Sequence, residues 1–338
     1  MHTARSKVTR AVAALACAAA VLVPLRAAAA SDGRAQDWRL TGKGQVSGEL
    51  RLSNEGGLTL AARHGATTVL RPSGLGIRTA ETDFSKGLRF AGRSDRKVHE
   101  TYTTTTGRRT HHTSDASEST FTFRKDGRTL KVVIRVAADG LAYRYVMPDK
   151  GTVTVLGEHS EFAVPPSADS FLLPYDNGRQ DYESAHDHGT VADAKAGDYG
   201  YPSLFHIGKS WMLIEEADLN SSYGGSRLAL DSATDRFELT LPDPAEVSGP
   251  GLTTPWRTMV IGDLATVTES DLPTDLAAPR RSPTPHGSSR AGRRGPGGRT
   301  GRARPAWTPR RSSWTSRRAR AGSTSWWTRA GATPGCPS

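Results

Sequence analysis

The stretch FTFRKDGRTLKVVIRVAADGLAYRY, residues 121–145, decides the fold class. Phe121 and Phe123 alternate with Thr122 and Arg124, and Lys125-Asp126-Gly127 then supplies turn chemistry. Leu130, Val132, Ile134 and Val136 alternate with Lys131 and Arg135. Asp139-Gly140 turns the chain again, and Leu141, Tyr143 and Tyr145 alternate with Arg144. A period of two broken by Asp-Gly pairs predicts three antiparallel strands joined as a meander.

The same grammar extends outward in both directions. Residues 46–52 and 58–62 flank the turn Asn54-Glu55-Gly56-Gly57, and residues 152–156, 204–207, 211–214, 227–230, 237–241 and 256–261 read as further strands. No window of twelve residues carries a helical stripe. About a dozen or more short strands separated by turns predict an all-β domain, a large two-sheet sandwich. Two polar segments read as excursions from it. Residues 100–119 are rich in Thr, Ser and His. Residues 174–201 are long and carry Tyr175, Tyr182, Tyr199 and Tyr201, and loops of that length inside a domain are often functional.

Charge divides the chain into unlike parts. The formal net charge is +11 over 338 residues, yet residues 31–279 hold 27 basic against 34 acidic groups. An acidic body argues against a basic nucleic-acid-binding domain. At the N-terminus, basic residues 2–10 precede a short Ala-rich apolar run at 11–25 and the A-x-A pattern Ala28-Ala29-Ala30. This reads as a signal peptide over residues 1–30 and predicts a secreted protein with no membrane span after cleavage. The chain has two cysteines, Cys17 in that leader and Cys336 near the end. The body between them has none, so disulfides and thiolate metal sites are excluded there.

Candidate chemistry is sparse. His186-Asp187-His188 brings two imidazoles and a carboxylate together, but no third ligand is fixed by spacing, and His111-His112 is weaker still. No nucleophile elbow, HExxH, P-loop or dinucleotide-binding glycine pattern occurs. The strand Trp211-Met212-Leu213-Ile214-Glu215-Glu216 is more informative. It is apolar on both faces until two carboxylates arrive, and one must leave on each face. A buried strand ending in acids can present oxygen to a cation or a sugar, or simply reach solvent.

Residues 280–338 are written in a different alphabet. These 59 residues contain no Asp, Glu, Lys, Leu, Ile, Val or Tyr, but 14 Arg and four of the chain's seven Trp. With no aliphatic side chain larger than Ala, the segment cannot offset its chain entropy by burial and is expected to be disordered. Arg and Trp suit phosphate, base or headgroup contacts. A slipped reading frame accounts for the alphabet more simply. In GC-rich coding DNA, moving the third codon position into the second leaves only Ser, Pro, Thr, Ala, Arg, Gly, Trp and Cys. Every tail residue except His286 belongs to that set. Shifting the frame back permits V-A-D-T-S-W-V-K-P-G-R-A-A-W-S-W-W over residues 282–298 and G-W-E-Y-V-L-V-D-E-G-W over residues 321–331. The second reading contains an apolar strand that ends in acids.

Residues of about 35–279 resemble the N-terminal domain of glycoside hydrolase family 97. The matching pieces are Pro202-Ser203-Leu204-Phe205, the strand 211–216 with Glu216-Ala217-Asp218-Leu219, Ser222-Tyr223-Gly224-Gly225, Thr254-Pro255-Trp256-Arg257 with Val260-Ile261-Gly262, Glu269-Ser270, and Leu276-Ala277-Ala278-Pro279. The restored tail is similar to the family's entry into its catalytic barrel. The resemblance implies a β-super-sandwich similar to galactose mutarotase, followed in the family by a (β/α)₈ barrel and a small β domain. It implies secreted or periplasmic exo-acting α-glucosidases or α-galactosidases with calcium in the active site. By resemblance, Glu216 is the calcium ligand given by this domain, with Glu215 as the fallback. Catalytic carboxylates lie on the barrel, so no catalytic residue is expected in this chain and no hydrolysis by it alone. The partner implied is an α-glucoside or α-galactoside. The alternatives are a free-standing carbohydrate-binding module using the sandwich face and the tyrosine-rich 174–201 segment, and a nucleic-acid or membrane binder acting through the tail.

Overall fold

The computed structural model describes residues 35–277, apart from 105–106, 150, 221–222, 232–233, 244 and 250. The leader, its cleavage site, Cys17, Cys336 and the tail 280–338 lie outside the described residues.

Strands dominate. In chain order they are β1 (Gln36–Thr41), β2 (Val46–Leu52), β3 (Leu58–His64), β4 (Thr67–Leu75), β5 (Ile77–Thr79), β6 (Arg89–Thr103) and β7 (His111–Lys125). There follow β8 (Arg128–Ala137), β9 (Gly140–Met147), β10 (Gly151–Glu158), β11 (Glu161–Phe162), β12 (Asp169–Pro174) and β13 (Asp187–Thr190). The series closes with β14 (Gly197–Ile207), β15 (Ser210–Ala217), β16 (Arg227–Asp231), β17 (Arg236–Thr240), β18 (Ala245–Gly249), β19 (Leu252–Thr253) and β20 (Trp256–Gly262). Two short helices, α1 (Leu264–Glu269) and α2 (Leu272–Leu276), end the described chain.

β1 to β4 form a four-stranded antiparallel sheet in sequence order, and β18-β10-β5 a small second one. The large sheet runs β11-β17-β16-β14-β15-β20-β9-β8-β7-β6, with β12, β13 and β19 attached at its sides. Leu50, Leu60, Val69 and Leu70 of the four-stranded sheet pack with Phe121, Phe123, Val132, Ile134, Met212, Ile214 and Met259 of the large one in a single core. Trp38 closes that core with its ring 4.7 Å from Phe90 and 5.1 Å from Phe121. Each such buried side chain contributes about 1.5–3 kcal/mol. The architecture is the expected all-β sandwich.

The meander of residues 121–145 forms as read. Asp126 and Gly127, with φ of 47° and 75°, make the two-residue connection between β7 and β8, whose twist suits antiparallel strands. The next turn differs in detail. Gly140 already belongs to β9, where it pairs with Val260 of β20, and a Cβ there would lie 2.4 Å from the Met259 carbonyl oxygen.

Two expectations are corrected. Residues 100–119 are not an excursion: β6 and β7 run through them and pair from Arg89–Arg124 to Thr103–His111. Threonine is β-branched and suits a pleated ribbon, so a polar composition marks an exposed hairpin here, not a loop. Within 174–201, β13 and the start of β14 occupy part of the segment.

The outer face of the large sheet is half apolar. Val267, Leu272 and Leu276 of the helices cover Val133, Ala142, Trp256 and Val260. Asp263 starts α1 by accepting a hydrogen bond from the Thr266 amide at 2.8 Å. Helices of six and five residues are too short to print a periodic stripe in the sequence. At the opposite edge, β6 pairs with β7 alone among the described residues, and Arg93, Asp95, Arg96, Lys97, His99 and Glu100 are exposed along it.

Candidate functional site

β15 brings Glu215 and Glu216 to opposite faces of the large sheet, as strand alternation requires. Met212 and Ile214 point into the core, and Glu216 shares their side. Leu213 packs on the outer face, and Glu215 shares that side.

Glu216 ends inside a buried ionic chain. Its partner is Arg257 of β20, directly opposite in the register. The Arg257 Nη1 donates to Glu216 Oε1. Its Nη2 donates to Glu158 Oε1 at 2.5 Å and its Nε to Glu158 Oε2 at 3.2 Å. The three side chains are 6%, 1% and 0% exposed for Glu216, Arg257 and Glu158 respectively. Removing charges from water at this depth costs several kcal/mol each, so every remaining lone pair needs a donor. The structure supplies them. Ser226 donates its amide to Glu216 Oε2 at 3.0 Å and its hydroxyl to Oε1 at 2.7 Å. Tyr223 donates its hydroxyl to Glu158 Oε1, and Ser160 donates to Oε2 at 2.9 Å. Burial alone would lower the Arg257 guanidinium, but the charges of Glu158 and Glu216 outweigh it and hold it well above its ordinary value.

This chemistry fixes a carboxylate. Calcium takes six to eight oxygens. Glu216 brings one carboxylate that already serves Arg257 and Ser226. Among the described residues no group of three or more His, Cys, Asp or Glu gathers to hold a metal.

Glu215 lies in a different setting. It lines a cavity of about 640 Å³ together with His112, Leu213, Val260, Val267 and Asp271. Burial pushes its carboxyl up to about 7 from an ordinary 4.5. Between those values the folded state keeps a proton that the unfolded chain releases. Stability from this residue is therefore full below pH 4.5 and is lost as pH rises through 7. Glu215→Gln should melt above the parent chain at pH 8, by an amount equivalent to about 2–3 kcal/mol, and match it at pH 4. Thermal unfolding at the two pH values checks this; an equal gap at both contradicts it.

The histidine motifs are not assembled into a metal centre. His188 stacks on Phe171 with ring centroids 4.4 Å apart, while His186 precedes β13 and is exposed. His112 is buried and stacked on Tyr102 at 4.6 Å, while His111 is exposed.

The sequence reading missed Arg257 and Glu158 as partners of Glu216. A signal existed for the first. All seven residues of β20 are buried, and an arginine inside such a strand requires a counter-charge.

Over residues 42–279 the sequence matches the family model described as Glycosyl-hydrolase 97 N-terminal. The chain belongs to this family. A probable retaining alpha-galactosidase of Streptomyces bingchenggensis (strain BCW-1) is 40% identical over 279 residues, covering 81% of this chain and 43% of that protein. Among solved structures, a beta-arabinopyranosidase superposes with a TM-score of 0.68 at 28% identity, over 72% of this chain and 43% of its own. A glycoside hydrolase family 97 enzyme from Pseudoalteromonas sp. strain K8, in complex with acarbose, gives 0.63 at 21% identity, over 70% and 37% of the two chains, and shows the shared fold. The family 97 N-terminal domain seen here thus spans less than half the length of each of these relatives.

Proposed function

We propose that residues 31–279 are the N-terminal sandwich of a secreted, calcium-dependent α-glycosidase of the α-galactosidase or α-glucosidase type, and that this chain by itself does not hydrolyse glycosides. One observation carries the reading. The family match ends at residue 279, and the restricted alphabet begins at Arg280. The restored frame then continues with text similar to the family's barrel. In the assembled enzyme the hydrolytic carboxylates and most calcium oxygens belong to that barrel. This domain contributes Glu216, held in place by Arg257 and Ser226. The leader pattern of residues 1–30 supports export. Among the described residues no helix is long and apolar enough to cross a membrane.

The test is the DNA. Sequencing the locus past codon 279 and reading all frames should reveal an uninterrupted barrel in a neighbouring frame. Verified codons with no such text beside them would overturn the proposal.

A further inference from the structure

The tyrosine-rich segment after β12 folds into a turn closed by an Asp176–Asp181 bridge. Gly178 and Arg179 donate their amides to Asp176 Oδ1 at 2.8 and 3.0 Å. Arg179 bridges Asp176 and Asp181 with its Nε at 3.0 and 3.2 Å. The Glu183 amide caps Asp181 at 3.1 Å. A segment already fixed in this way loses little freedom when it binds something.

Its aromatic rings stand at a polar edge. Tyr175 and Tyr182 meet edge to face at 4.8 Å, and Tyr182 is 44% exposed. Arg227 of β16 lies over Tyr175, its Cζ 4.3 Å from the ring centroid. From there a polar chain continues through Asn177. Arg227 Nη1 donates to Asn177 Oδ1 at 2.8 Å, and Asn177 Nδ2 donates to Asp198 Oδ2 at 3.0 Å. Tyr182 rests on Gly200, where a Cβ would approach its ring to 2.4 Å. The turn borders the Glu216 centre. Burial raises the Tyr182 hydroxyl, and the charges of Arg227 and Glu216 both act on it. Gly225 lies against Glu216, where a Cβ would stand 3.6 Å from Oε2, and Ser226, which precedes Arg227, donates to that carboxylate.

A half-exposed aromatic ring next to fixed donors and acceptors matches a pyranose, which has an apolar C–H face and a rim of hydroxyls. We propose that Tyr182 and the Asn177–Arg227–Asp198 chain form a glycoside contact of this domain, the sugar ring against Tyr182 and its hydroxyls on the polar chain. The site is non-catalytic. It gives the tyrosine segment a specificity role beside Glu216, and it rests on the proposed function for the α-glycoside class.

The test uses the full chain and ligand-observed NMR titration with methyl α-D-galactopyranoside and methyl α-D-glucopyranoside. At least one should bind saturably. Tyr182→Ala should weaken it about tenfold or more, Asn177→Ala should weaken it also, and Tyr182→Phe should preserve it. Circular dichroism melting establishes that each variant is folded. No saturable binding of either glycoside by the parent chain overturns the proposal, as does unchanged affinity in folded Tyr182→Ala. Binding that depends on Tyr182, in a locus with no barrel frame, upholds the contact and removes the parent glycosidase. A barrel frame with no binding by this chain does the reverse.

Discussion

An Arg257→Ala variant is expected to unfold roughly 6–20 °C below the parent chain, which corresponds to about 3–5 kcal/mol. The cause is not the lost attraction alone. Glu158 and Glu216 are 0% and 6% exposed, and without the guanidinium each is a buried anion facing the other's charge. Tyr223, Ser160 and Ser226 still donate to them, but neutral donors do not balance two negative charges. A triple variant, Glu158→Gln with Arg257→Met and Glu216→Gln, should recover much of the loss, since it removes the charges together. Thermal unfolding followed by circular dichroism reads both. An Arg257→Ala melting point within 2 °C of the parent would mean the ionic chain is not a determinant of stability.

The second large effect concerns activity. The chain as it stands should release no nitrophenol from 4-nitrophenyl α-D-galactopyranoside or α-D-glucopyranoside above the uncatalysed rate. The product of a frame-corrected gene should hydrolyse at least one of them, with an acceleration of about 10⁶-fold or more. Calcium removal with a chelator should depress the corrected enzyme, and Glu216→Gln should raise the calcium concentration it needs. Turnover by the uncorrected chain, abolished by a substitution within residues 31–277, would place catalysis in this domain and refute the assignment.

Strand identity was legible because it depends on nearest neighbours. Residues 121–145 announce three strands through side-chain alternation and the Asp126-Gly127 turn, and the structure places them so. The opposite faces of Glu215 and Glu216 follow from the same geometry. The β6–β7 hairpin was obscured because both its faces are largely polar, so alternation carries no hydrophobic contrast. What Glu216 does locally was not legible. Its partners lie 41 residues away at Arg257 and 10 away at Ser226, and only sheet order brings them together. The same holds for the polar chain of Asn177, Asp198 and Arg227, which joins three separate segments.

The outermost strand β6 carries its own safeguard against growth of the sheet. Among the described residues its outer backbone edge has no partner strand, and exposed Arg93, Asp95, Arg96 and Lys97 crowd the middle of that edge. A second copy docking there would have to strip water from this row of mixed charges, which costs free energy unless every charge finds a partner. Charge along the rim thus disfavours strand addition at the edge of the widest sheet.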